Sequence, residues 1–226
     1  SGLREPHAVL LIFKETQIFA DGTQTDEILF LQKRDPSNEL WTGKRQGTEG
    51  AIKFLGLNSA FTGGEFASFE TEFNSFDKLL ITRLPEDVNN TENKEDLYNL
   101  INSFKLKTQK LAEKIDDLEL NKMMAQLRQI KSEEEIVLLK KAIDMTCEAQ
   151  IELMKALKPG MTEYESEAII EYVFKKNGAE YPGFPSILGG GENSCILHYT
   201  SSRKPLKGND ILVSDIGAEY HGYTAD

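Results

Sequence analysis

The sequence has few cysteines, no excess of basic residues and no long apolar run, and each shortage narrows its possible functions. Its two cysteines, Cys147 and Cys195, lie far apart, so a disulfide is not indicated and a reducing compartment such as the cytoplasm is expected. Lys and Arg number 26 against 37 Asp and Glu, a formal net charge of -11, which argues against nucleic acid as a partner because phosphate contacts need a basic face. No apolar stretch reaches the roughly 20 residues that span a bilayer, so no membrane partner is expected.

The composition that remains is typical of a soluble globular protein. Of 226 residues, 39% are hydrophobic and 28% are charged, and a chain of this length can form one large domain or two of ordinary size. The composition becomes more helical near Lys122. We therefore predict two domains, residues 1–126 and residues 127–226, in a chain of the mixed α/β class.

The first half alternates short strands and helices. Residues 8–13 form an apolar run that predicts a buried strand, and residues 28–31 predict its antiparallel partner across a loop containing Asp21 and Gly22. Residues 39–47 contain two glycines and little periodicity, which predicts a structured loop around Trp41. Helices are expected at residues 49–55, 65–76 and 93–104, and a strand at residues 78–82.

Two helices open the second half, and each has its own start signal. Ser132 with Glu135 fits a capping box, and apolar residues recur every three or four positions behind it as far as Leu157. Thr162 with Glu165 fits a second capping box, which opens a helix that runs toward residues 177–178.

Strands and tight loops are expected after Tyr181. The apolar residues around His198 predict a strand at residues 196–200, and the three glycines at residues 189–191 indicate a flexible loop. Residues 211–216 and 219–225 predict the two strands of one hairpin.

Asp215 is the strongest chemical anomaly, because aspartate is depleted in strands and a buried unpaired carboxylate costs several kcal/mol. Asp226 follows eleven residues later in the second predicted strand. Adjacent antiparallel strands could bring the two carboxylates to one face, where they would suit a divalent cation. Alternatively, both aspartates lie at the wet edge of a hairpin and cap turns. Their spacing leaves both interpretations open.

Two further side chains also allow a functional and an ordinary interpretation. His198 is either a satisfied structural residue or a group that positions a substrate carbonyl and moves a proton near neutral pH. Trp41, the only tryptophan, either packs in a core or is an exposed aromatic that contacts a ligand or a neighbouring subunit.

Residues 184–200, FPSILGGGENSCILHYT, and residues 210–226, DILVSDIGAEYHGYTAD, closely resemble the Xaa-Pro aminopeptidase family, also called aminopeptidase P. The similarity extends to residues 128–136 and 157–162 of the second half, and to residues 1–6 and 39–45 of the first. The resemblance implies that the first part of a pita-bread catalytic domain follows an α/β amino-terminal domain.

The resemblance also implies a chemistry and a set of residues. Two divalent metal ions, usually manganese, would be held partly by Asp215 and by Asp226, which would bridge them. A metal-bridging hydroxide would attack the carbonyl that precedes proline in a peptide with proline at its second position. His198 would contact the substrate near the scissile bond or move protons, Phe184 would line the pocket for the amino-terminal side chain, and Trp41 would reach an active site within a homodimer or homotetramer.

The chain departs from the family pattern at both ends. The remaining family ligands, a histidine and two glutamates, lie beyond the second aspartate, and residues 1–6 resemble an internal family segment. We therefore expect that the sequence is a segment of a larger enzyme. Its metal site would then be incomplete, and these 226 residues alone would be inactive. A prolidase that cleaves Xaa-Pro dipeptides and a non-catalytic pita-bread module that binds peptides or proteins remain alternatives, whereas retention of both aspartates disfavours a metal-free, creatinase-type relative.

Overall fold

The computed structural model describes residue 3, residues 5–20 and residues 22–226. The predicted start of the first domain at Ser1, with Gly2 and Arg4, lies outside these residues, as does Asp21 of the predicted loop. The chain divides into two compact units, one ending at Ala125 and one formed by Gln126–Asp226. Among the described residues, no helix is both long and apolar enough to cross a membrane.

A three-stranded sheet lies at the centre of the first unit. Strands β1 (Val9–Ile18) and β2 (Gln24–Leu31) are antiparallel, and β3 (Ala60–Thr62) is parallel to β2. The predicted pairing is confirmed, since Val9 lies opposite Phe30 and Leu11 opposite Ile28. Residues 28–31 are buried on both faces, as their unbroken apolar run indicates.

The predicted helix at residues 65–76 is wrong. Two 3-10 turns, Gly63–Glu65 and Phe73–Ser75, occupy its ends. The aromatic side chains of Phe66 and Phe69 pack edge-on against Phe30, with ring centroids 5.0 and 5.2 Å away. Tertiary packing of these rings therefore outweighs the local helical preference.

Three helices and two short strands complete the first unit. Helix α1 (Pro36–Thr42) replaces part of the predicted loop, because Asp35 Oδ1 accepts hydrogen bonds from the Ser37 and Asn38 amides, 3.0 and 3.3 Å away, and proline suits the first helical position. The other elements are α2 (Gly47–Leu55), β4 (Leu79–Leu80), α3 (Leu97–Thr108) and β5 (Ile115–Asp116), with β4 parallel to β5. Helix α4 (Glu119–Gln129) spans the division between the units.

Both predicted capping boxes of the second unit are confirmed. Helix α5 (Glu133–Ala156) starts where the Ser132 hydroxyl accepts from the Glu135 amide and the Glu135 carboxylate accepts from the Ser132 amide. The same carboxylate accepts a 2.6 Å hydrogen bond from the Tyr223 hydroxyl, which is the main reason that the pKa of Glu135 lies below its ordinary value. Helix α6 (Glu163–Lys176) starts in the same way at Thr162.

The two helices pack together and form the core of the second unit with the strands. Their inward faces bring together the side chains of Met145, Ala149, Leu153, Ile170, Val173 and Phe174. Leu188, Ile216 and Ala218 from the strand region pack against them. The apolar periodicity that predicted the helices is therefore the face that holds the strands in place.

The strands of the second unit pair differently from the predicted hairpin, which is wrong. Strand β7 (Ile187–Gly190) is antiparallel to β8 (Leu212–Asp215), whereas β9 (Ala218–Tyr220) lies between β6 (Tyr181–Pro182) and β10 (Tyr223–Thr224). The chain reverses at His221 and Gly222, where φ is 49° and 87°. Residues 216–217 instead carry it from one sheet into the other.

Candidate metal centre

Asp215 ends strand β8, and Asp226 follows β10. Both side chains are exposed, so the burial that made Asp215 anomalous in the sequence is not present. Within the described part of the chain, neither carboxylate has a hydrogen-bond or ion-pair partner, and both are free to bind a cation.

The backbone segment that follows Asp215 and the one that precedes Asp226 come close together at Gly217. A Cβ atom at Gly217 would lie 1.7 Å from the Ala225 carbonyl oxygen and 2.9 Å from Cε1 of Phe184. The Ala225 amide also donates to the Ala218 carbonyl oxygen, 3.0 Å away. The segment leaving Asp215, the segment entering Asp226 and the half-buried ring of Phe184 therefore converge on one glycine.

The carboxylates of these two aspartates can supply part of the ligand set of a metal centre. Carboxylate oxygen is a preferred ligand of Mg²⁺ and Mn²⁺, which take about six ligands in octahedral sites. Among the described residues, no group of three or more His, Cys, Asp or Glu side chains is arranged to hold a metal ion. Asp215 and Asp226 can thus supply part of a ligand set, and further ligands are needed to complete it.

His198 lies in an irregular loop, and the strand expected at residues 196–200 is wrong. The loop follows a 3-10 helix at Gly191–Cys195, and His198 is exposed with φ of 54°. Leu197 is 90% exposed, so the apolar residues of this segment do not mark a strand face. Polar contacts to α6 hold the loop.

The flexible loop expected at residues 189–191 is also wrong. Gly189 and Gly190 belong to β7 and are buried. A Cβ at Gly189 would lie 2.7 Å from the Asn193 carbonyl oxygen, and one at Gly190 would lie 2.2 Å from Cδ2 of Leu206. These glycines therefore serve close packing, which is the alternative use of glycine in a strand.

Glu163 is the residue of this region that the sequence did not reveal. Its side chain is fully buried and accepts four hydrogen bonds: from the amides of Gly190 and Lys204 at 2.8 and 3.0 Å, from Asn193 Nδ2 at 3.0 Å and from the Tyr199 hydroxyl at 2.8 Å. Burial opposes ionisation, yet these hydrogen bonds together lower the pKa of Glu163. In the sequence it looks like an ordinary acidic residue of a first helical turn.

Comparison with known proteins gives the family. The sequence profile of metallopeptidase family M24 matches residues 137–226, and that of the aminopeptidase P amino-terminal domain matches residues 1–78. Residues 137–226 are thus an M24 metallopeptidase domain. Within that family, Xaa-Pro aminopeptidase of Escherichia coli is 33% identical over 233 residues, covering 100% of this chain and 50% of the relative.

Two further comparisons extend this finding. Xaa-Pro dipeptidase of Pyrococcus furiosus is 35% identical over 130 residues, which cover 57% of this chain and 36% of the relative. The solved structure of an Escherichia coli aminopeptidase P variant in complex with substrate superposes with a TM-score of 0.80 at 30% identity, covering 100% of this chain and 50% of that one. The expected family and the mixed α/β fold are confirmed, and the chain spans about half the length of the aminopeptidases that it matches.

Trp41 belongs to the first unit of the chain. It lies on α1 and is 89% exposed, next to Leu40, which is 86% exposed. Packing of Trp41 in a core is therefore wrong. The interpretation that remains is an exposed aromatic that contacts a ligand or a neighbouring subunit.

Proposed function

We propose that the protein containing this chain is a metal-dependent aminopeptidase that releases an amino-terminal residue when proline follows it. The main support is the similarity of the whole chain to an Xaa-Pro aminopeptidase and to an aminopeptidase P in complex with substrate. The free carboxylates of Asp215 and Asp226, on backbone segments that converge at Gly217, add support from the site itself. On this proposal, residues 1–126 and 127–226 are the two functional domains.

Each candidate residue has a role in this proposal. Two divalent ions, with manganese proposed, would lower the pKa of a water molecule and polarise the scissile carbonyl. Asp215 and Asp226 would each hold cations through carboxylate oxygens. His198 would donate a proton or a hydrogen bond near the scissile bond, and the half-buried ring of Phe184 would contact the side chain of the residue to be released.

An Xaa-Pro dipeptidase is the second candidate, favoured specifically by the similarity to the Pyrococcus furiosus enzyme over 57% of the chain. A non-catalytic peptide-binding module is less well supported, because both aspartates are present and neither forms an ion pair with another described residue. The aminopeptidase and the dipeptidase differ in the length of the peptide that they hydrolyse, and the module hydrolyses none.

A peptide panel tests the proposal. The complete gene product that contains these residues is assayed with Gly-Pro, Gly-Pro-Ala and Gly-Ala-Ala, with added Mn²⁺ and with EDTA. We expect Mn²⁺-dependent release of glycine from Gly-Pro-Ala and none from Gly-Ala-Ala. Cleavage of Gly-Pro alone would indicate the dipeptidase, and peptide binding without cleavage the module. The 226 residues alone, with two aspartates for two ions, are expected to be inactive.

Trp41 leads to a prediction about assembly. We propose a cytoplasmic homo-oligomer, a dimer or a tetramer, in which this side chain contacts a neighbouring copy. Trp41→Ala should then lower the oligomeric fraction in sedimentation velocity while leaving the free energy of unfolding within about 0.5 kcal/mol, the usual range for an exposed site. Leu106→Ala, which truncates a 67% exposed residue on α3, is the control and should leave assembly unchanged. An unaltered distribution for Trp41→Ala would contradict the proposed contact.

A further inference from the structure

The buried carboxylate of Glu163 closes both ends of one loop. Its Oε1 atom accepts from the Gly190 amide and Asn193 Nδ2, and its Oε2 atom accepts from the Tyr199 hydroxyl and the Lys204 amide. The Glu163 amide in turn donates to the Lys204 carbonyl oxygen at 3.0 Å. All four donors therefore belong to residues 190–204, and the single carboxylate fixes where this loop begins and ends.

The loop carries backbone that needs such support. His198 and Ser202 have φ angles of 54° and 48°, a region that costs free energy for residues other than glycine and persists only when the surroundings enforce it. The imidazole of His198 has no hydrogen-bond partner among the described residues. Its place is thus set through the backbone, beginning with its neighbour Tyr199, which is bound to Glu163.

A second contact, between Arg203 and Tyr164, links the same loop to the start of α6. The Arg203 guanidinium lies 4.2 Å from the ring centroid of Tyr164, a distance that permits a cation–π contact. The Lys204 ammonium donates to the Gly190 carbonyl oxygen at 2.9 Å, across the mouth of the loop. Within the loop, Asn193 Nδ2 also donates to the Tyr199 hydroxyl oxygen at 2.9 Å. Glu163 accepts from both of these side chains, so its carboxylate links the middle of the loop to α6.

We propose that Glu163 is a positioning residue for the peptidase site: its carboxylate holds residues 190–204 so that His198 meets the substrate near the scissile bond. This proposal rests on the proposed function. It assigns no contact with substrate to Glu163. The effect passes through Tyr199 and the loop backbone to the imidazole.

Glu163→Gln is the informative substitution. The amide keeps the size of the side chain, but its NH₂ group must face one of two pairs of hydrogen-bond donors, so one end of the loop loses its acceptor. Misplacing a reacting group by about 1 Å can cost on the order of 100-fold, and we expect kcat to fall by about 10- to 100-fold with little change in KM. Glu165→Gln is the matched control, because it removes the same charge two residues away and glutamine also serves in a capping box.

A double-mutant cycle separates positioning from general stabilisation. In a His198→Ala background, Glu163→Gln should cost less than about twofold in kcat, which is the usual scatter of additive effects, because the residue that it positions is gone. An equal loss in both backgrounds, or an unchanged kcat for folded Glu163→Gln, would overturn the proposal. If Glu163→Gln does not fold, Tyr199→Phe replaces it in the same cycle, since it removes one of the four hydrogen bonds.

A measurement without turnover keeps this inference distinct from the proposed function. The imidazole resonances of His198 are recorded in the complete protein by NMR spectroscopy. They should shift in Glu163→Gln and stay in place in Glu165→Gln. Absence of all Xaa-Pro hydrolysis in the unsubstituted protein would refute the proposed function, whereas an unmoved His198 signal would refute the positioning role by itself.

Discussion

Asp215→Asn in the complete gene product is expected to lower the proposed Xaa-Pro peptidase activity at least about 1,000-fold, because metal ions contribute several kcal/mol to such reactions and each 1.36 kcal/mol is a factor of ten. The substitution keeps the shape of the side chain and removes its negative charge. Asp215 is exposed at the end of β8 and makes no ion pair within the described residues, so little stability should be lost. Loss of activity without loss of fold would indicate that the Asp215 carboxylate binds a metal ion.

Metal content and activity are measured together for this prediction. Asp215→Asn should retain less bound Mn²⁺ than the unsubstituted protein in plasma mass spectrometry after gel filtration, and Asp226→Asn should behave alike. Asp144→Asn is the matched control, because Asp144 is an exposed aspartate on α5 and should bind no metal. Full metal content and full activity in Asp215→Asn would refute its assignment as a ligand.

Gly217→Ala has the largest expected effect on stability. A Cβ at this position would lie 1.7 Å from the Ala225 carbonyl oxygen, and that atom is backbone held by the hydrogen bond between the Ala225 amide and Ala218. No change of rotamer can relieve such a contact. Overpacking of this kind costs about 1–3 kcal/mol and occasionally more, and we expect a loss of about 3 kcal/mol.

Urea unfolding followed by circular dichroism measures this loss. Gly208→Ala is the control, because a Cβ there would lie 3.5 Å from Pro159 Cγ, an ordinary van der Waals distance. The control should leave the midpoint nearly unchanged, while Gly217→Ala lowers it at an unchanged slope. Equal midpoints for the two variants would show that the backbone at Ala225 can yield.

Local signals in this sequence predicted local structure well. Ser132 with Glu135 and Thr162 with Glu165 marked the first turns of α5 and α6, because each capping box is formed within four consecutive residues. The pairing of β1 with β2 was also predictable, because two successive apolar runs are separated by a polar segment with a turn signal. These predictions depended on signals within one element or between successive strands.

The strand partners of the second unit depended on distant residues and were predicted wrongly. Strand β8 pairs with residues 187–190, more than twenty positions earlier, and not with the segment that follows it. Residues 196–200 have the apolar character of a strand, yet they lie in an irregular loop in which the Tyr199 hydroxyl donates to the Glu163 carboxylate of α6. No pattern within either segment contains that information.

The candidate site also combines features that the sequence predicted with features that depend on contacts between distant residues. Asp215 and Asp226 became candidates from residue type and family resemblance, whereas their exposure and the close approach of the neighbouring backbone at Gly217 required the fold. Glu163 escaped notice because its four hydrogen-bond donors lie between 27 and 41 residues away. In the sequence, Glu163 has the position of an ordinary glutamate in the first turn of a helix.

The carboxylate of Glu135 links two parts of the second unit that are far apart in the sequence, the start of α5 and strand β10. One oxygen holds the first turn of α5 through Ser132, and the other holds β10 through the Tyr223 hydroxyl. Tyr223 stands three positions before Asp226, so the first turn of α5 anchors the segment that leads to the candidate metal ligand.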